Sequence, residues 1–182
     1  MADPGTRNDH KKQLELLHRY LDEDGWDAAL QPPDQNNPYH LIVAKIYSDE
    51  DDTQALWNAE ISFLPVPGTD LTDVSILQCF IPLANNFPTL LKSPMYEMIA
   101  KLNTKMPLVG FGFLDELNLL YYKYNIMMPN KTAVTNGLIL SESLSMITYL
   151  VSTFTIPVIE VAAGEVSVAD AIDHLKAKRL FS

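Results

Sequence analysis

The stretch from residue 93 to residue 128, SPMYEMIAKLNTKMPLVGFGFLDELNLLYYKYNIMM, changes its hydrophobic period at one proline, and that change dictates two different elements in succession. Ahead of Pro107, Met95, Met98, Ile99 and Leu102 recur at spacings of three, four and seven, the buried face of an amphipathic helix. Ser93 is suited to cap that helix, Pro94 to open its first turn without losing a useful N–H, and Glu97 to favour its positive end. Pro107 forbids continuation. Beyond it Val109, Phe111 and Phe113 alternate along one side of a strand, the chain turns at Asp115-Glu116, and a second strand returns from Leu117 to Met128. Burying the four apolar helix side chains is worth roughly 1.5–3 kcal/mol each, so the helix must lie on something.

The flanking segments supply the rest of a sheet. Asp9 can cap a first helix in which Leu14, Leu17 and Leu21 share a face, and Gly25 ends it. Trp26, Ala28 and Leu30 alternate over a short strand-like stretch before the rigid loop from Pro32 to Pro38. Tyr39 to Tyr47 is rich in β-branched and aromatic residues, and the acidic run from Asp49 to Asp52 reads as a solvated turn. Trp57, Ala59, Ile61 and Phe63 alternate in the next run, which Pro65, Pro67 and Gly68 break. Leu77, Cys79 and Ile81 oppose Val74, Ile76 and Phe80 in the third. Short turns between them predict a three-stranded antiparallel meander. Asn86 and Pro88 open a brief helical turn through Leu90 and Leu91.

After the hairpin, Ser141 is placed to cap a long helix with Leu144, Ile147, Val151, Phe154 and Val158 on one face, bent or split at Pro157 and stopped by Gly164. Ser167 and Asp170 resemble a capping box for a last helix through Ala171, Ile172 and Leu175. Strands and helices come in blocks, so the fold class is α+β, an antiparallel sheet made of a three-stranded meander plus a hairpin, packed with helices. The sequence predicts one domain over residues 1–182, with about the first eight outside the fold and 165–182 forming an additional C-terminal helix.

Composition narrows the function classes. A formal net charge of −10 argues against nucleic acid, which needs clustered Lys and Arg; only Lys176, Lys178 and Arg179 group together, where they complement a helix end. The lone Cys79 has no internal disulfide partner, and the first residues lack the apolar core of a secretory signal, which points to the cytoplasm. Residues 144–159 are uncharged, yet short for a membrane span and interrupted by Ser145, Thr148, Ser152, Thr153 and Thr155, so a buried helix is expected there.

No constellation announces a chemistry. Glu15 with His18, and Asp170 and Asp173 with His174, share helix faces but lack further ligands nearby in sequence. The acidic run at 49–52 lacks the spacing, glycine and closing glutamate of a calcium loop. Gly110 and Gly112 lie inside a strand rather than in a phosphate cradle, where close approach of another backbone or a bulge accounts for them. Cys79 has no basic neighbour in sequence to support a thiolate. We therefore expect no catalytic residue, no metal and no cofactor. The aromatic hairpin is more informative: Tyr122 and Tyr124 share one side, Tyr121 and Lys123 the other. One side is core; the other is either a protein contact or is covered by a later helix, and the sequence leaves both open.

The helix MYEMIAKLN ending at Asn103, the hairpin GFGFLDELNLLYYKYNI, the preceding strand ILQCFIPL and the helix following Ser141 together resemble the YbjN-like bacterial family, grouped with sensory transduction regulators. The resemblance covers residues 87–162, with the first helix and meander matching in order only. It implies a fold like that of class I type III secretion chaperones, commonly a homodimer, binding an extended segment of another protein across apolar patches and sheet edges. The loop at Pro32 to Pro38, Pro157 and the added final helix depart from that pattern. The expected function is a non-catalytic, chaperone-like or regulatory module with a protein partner, no nucleic acid and no membrane. Phe111, Phe113, Tyr122 and Tyr124 on the hairpin, and Leu144, Ile147, Val151 and Phe154 on the long helix, are the expected partner or dimer contacts. The alternatives are a small-molecule-binding domain or small enzyme with a pocket between sheet and long helix, and an inhibitor of the antitoxin or immunity type.

Overall fold

The computed structural model describes residues 4–35, 37–47, 56–65, 73–85, 90–130 and 132–180. The expected turns at 49–52, at Pro67-Gly68 and at Asn86-Pro88 lie outside the described residues. Four helices, α1 (Pro4–Glu23), α2 (Lys92–Asn103), α3 (Ala133–Ala163) and α4 (Val168–Ala177), accompany six strands, β1 (Ala28–Gln31), β2 (Leu41–Ile46), β3 (Trp57–Leu64), β4 (Val74–Asn85), β5 (Phe111–Leu114) and β6 (Leu119–Pro129). The sheet is antiparallel, in the order β1-β2-β3-β4-β6-β5, so the class is α+β. The meander has four strands where three were predicted, because Ala28 to Gln31 pair with Ala44 to Leu41. Contacts within the chain cluster into two compact units, Met1–Ile81 with Tyr124–Met146, and Pro82–Lys123 with Ile147–Ser182.

In the first unit the strand alternation read from the sequence becomes cross-strand pairs: Ile42 opposite Ile61, Ala44 opposite Ala59, Ile61 opposite Cys79 and Phe63 opposite Leu77. All of these are buried. Helix α1 begins at Pro4 rather than at an Asp9 cap, since proline at the first helical position gives up an N–H that would have no partner there. It packs on β1 and β2 with Leu14, Leu17 and Leu21 buried. Its exit is fixed by Gly25 at φ 88°, where the Gly25 N–H reaches Asp22 O at 3.2 Å and the Trp26 N–H reaches Leu21 O at 2.9 Å. Helix α3 begins at Ala133, eight residues before the predicted cap. Ser141 is buried inside it instead: its hydroxyl accepts from the Trp26 indole N–H at 3.0 Å and donates to the Asp24 carboxylate.

In the second unit α2 buries Met95, Met98, Ile99 and Leu102 as its spacing demanded, and packs against α4 and β5. Its start differs from the prediction. Ser93 is exposed and caps nothing; the turn opens at Leu91, whose carbonyl accepts from Met95 N–H at 3.1 Å and whose own N–H donates to Ala162 O at 2.8 Å. Leu90 and Leu91 are accordingly not helical. Pro157 neither ends nor splits α3, which runs unbroken to Ala163. One lost backbone bond and a clash cost about 3 kcal/mol, whereas Phe154, Val158, Val161 and Ala162 are all buried and the larger three contribute roughly 1.5–3 kcal/mol each. Ser167 caps α4, accepting from Asp170 N–H at 3.1 Å, while its hydroxyl donates to the Asp170 carboxylate at 2.6 Å.

Candidate functional site

The sheet has two edges, β1 and β5, and each belongs to a helix–turn–strand segment of its own unit. In an antiparallel pair successive residues point their N–H and C=O alternately toward and away from the neighbouring strand. Lys123 N–H bonds Gly110 O at 2.9 Å, so Gly110, Gly112 and Leu114 address β6 while Phe111 and Phe113 turn their polar groups outward. Lys45 N–H bonds Asp27 O at 2.9 Å, so by the same parity Ala28 and Leu30 turn outward from β1.

The β5 edge is built from the hairpin and α2. Phe111 sits opposite Tyr122, their rings edge to face with centroids 5.3 Å apart, and the Tyr122 hydroxyl donates to Leu108 O at 2.8 Å. Gly110 is required by close approach: a Cβ there would stand 2.5 Å from the Lys123 carbonyl oxygen and 2.9 Å from the Tyr122 ring. A side chain at Gly112 would meet the Tyr121 ring instead. The predicted turn at Asp115-Glu116 is one turn of 3-10 helix over Asp115–Leu117, closed by Asn118 in the left-handed region at φ 49°. At the end of α2 the Asn103 amide bonds both outward groups of Phe111, its N–H₂ donating to the carbonyl at 2.9 Å and its oxygen accepting from the N–H at 3.2 Å. At the other end Tyr96 meets Phe113 edge to face at 6.1 Å, and both Tyr96 and Lys92 bond the Asp115 carboxylate. Those two partners hold the exposed Asp115 carboxyl below its ordinary range, Lys92 contributing more, and the bond to Asp115 raises the Tyr96 hydroxyl.

The β1 edge is closed more sparsely. His18 Nε2 lies 3.1 Å from the Ala28 carbonyl, a bond it makes as donor, and Asp27 beside it takes Lys45 Nζ and the Tyr47 hydroxyl, each at 2.8 Å. A second histidine, His10, stacks on Phe63 with centroids 4.7 Å apart; its Nε2 is 3.4 Å from Ser75 Oγ, which donates to Asn130 Oδ1 at 2.8 Å. Burial lowers His10 below the usual imidazole range, partly offset by Asp9. Because the serine proton is committed to Asn130, His10 serves Ser75 as a donor and not as a base.

Six of the eight expected contact residues are packed inside the chain: Phe111, Tyr122, Leu144, Ile147, Val151 and Phe154 are each at most 4% exposed. Buried to that degree, they offer no open face to a partner. Phe113 and Tyr124 remain half-buried. Val109, predicted on the same side as Phe111, is 53% exposed and lies before the strand begins. Sequence reasoning passed over the exposed apolar residues Leu138, Tyr149 and Ile156, whose spacing of eleven and seven puts them on one side of α3. That helix is long and apolar enough to cross a membrane by length and composition, and 44% of its most apolar 18-residue stretch is buried in the fold. It also hides three hydroxyls, of Thr148, Ser152 and Thr155, that have no hydrogen-bond partner among the described residues.

The other chemical candidates are placed as follows. Cys79 is fully buried, and burial pushes its thiol up to about 12. His18 is committed to a backbone carbonyl, Asp173 to Lys176 at 2.9 Å and Asp170 to the α4 cap. Among the described residues no group of three or more His, Cys, Asp or Glu side chains is arranged to hold a metal ion. No family model, curated protein or solved structure matches this chain.

Proposed function

We propose that this protein is a non-catalytic binding module, chaperone-like or regulatory, that takes an extended segment of another polypeptide along its β5 edge. The supporting observation is the outward N–H and C=O of Phe113 on an edge strand, next to the Tyr96–Phe113 aromatic pair. Backbone bonds to an edge strand supply affinity without regard to sequence, and the adjacent rings supply a preference for an apolar residue. The net charge of −10 favours basic residues elsewhere in the segment. The resemblance to the YbjN-like family and its secretion-chaperone shape belongs to this same proposal, as does a cytoplasmic setting, where the free thiol of Cys79 stays reduced. Any homodimer would use exposed apolar residues such as Tyr149 and Ile156 in place of the buried Val151.

The test is amide hydrogen exchange on the full chain with and without a synthetic eight-residue peptide of alternating valine and lysine. The expected result is saturable binding with added protection at Phe113, lost in Phe113→Pro, which removes the outward N–H and leaves the bonds to β6 intact. Binding that is indifferent to this substitution, or protection elsewhere, overturns the reading.

A further inference from the structure

We draw no further inference here: the strongest candidate, the exposed apolar face of α3 carried by Leu138, Tyr149 and Ile156, supports none because nothing in the structure shows what covers it.

Discussion

The two edges of the sheet solve one problem with different economy. Each is a four-residue strand preceded by a helix, and each has its first outward residue bonded by a side chain from that helix. At β1 a histidine ring satisfies one group, the Ala28 carbonyl; at β5 an amide satisfies both groups of Phe111. Unpaired edges invite unwanted strands, and short length with side-chain coverage is how folded chains limit that. The His18 ring at β1, donating from Nε2, blocks an incoming strand at a single atom. The amide at β5 imitates a strand. The comparison teaches that the first outward residue of β5 is closed at both its backbone groups and that of β1 at one.

The comparison breaks most completely at Gly110, for which β1 has no counterpart. Gly110→Val drives a side chain into the Lys123 backbone carbonyl and the Tyr122 ring, neither of which can withdraw without opening the β5–β6 pair. We expect a loss of more than about 3 kcal/mol in denaturant unfolding, in the range of severe backbone and packing defects, with loss of protection at Phe111 and Phe113. If Gly110→Val is as stable as the wild type, the close approach that aligns β5 is not a constraint.

Next come the two side chains that bond the edge strands. Asn103→Ala strands two partly buried backbone groups and should cost about 2 kcal/mol; His18→Ala strands one and should cost about 1 kcal/mol. The prediction is the ordering, measured as midpoint shifts in urea with the slope unchanged. A larger loss for His18→Ala would mean that β1 is the more tightly held edge and would reverse the comparison.

Much of this architecture was legible because it follows from period alone. Met95, Met98, Ile99 and Leu102, and the strand faces of Ile61, Phe63, Leu77 and Cys79, are buried as their spacing required. Among the helix starts only the Ser167 cap of α4 was legible; Ser93, Asp9 and Ser141 have similar chemistry, but Pro4 opens α1 and long-range bonds hold Leu91 and Ser141. Leu91 is held by Ala162, and Ser141 by Trp26 and Asp24, partners far away in the chain. The edge site was half legible. The hairpin aromatics stand out in the sequence, yet periodicity cannot distinguish a covered stripe from an open one, and of the two readings it leaves open Phe111 and Tyr122 take the covered one. Asn103 was visible as the end of a helix, but nothing local says that its amide points at a backbone eight residues on.

Acid should separate the two helix–edge segments without any substitution. His10, which pins α1 to Phe63 and Ser75, has its pKa lowered by burial from an ordinary 6.5. Its contribution is therefore complete above pH 6.5 and is lost as pH falls from there through the lowered folded value, because the unfolded chain takes up the proton first. Asp115, which ties α2 to the exit of β5, has its pKa lowered from 3.8, mainly by Lys92 and then by Tyr96. Its contribution persists well below the histidine window and is lost only as pH falls beneath 3.8. In residue-resolved hydrogen exchange between pH 7 and 4.5, corrected for intrinsic rates, α1 should lose protection while α2 holds. The effect is smaller than those of the substitutions, since His10 is only half-buried and Asp115 is exposed and screened. His10→Phe keeps the stacking on Phe63 and removes the titration, so it should flatten the α1 response. Parallel loss in both helices, or an unchanged α1 response in His10→Phe, would show that the two segments are not anchored by different chemistry.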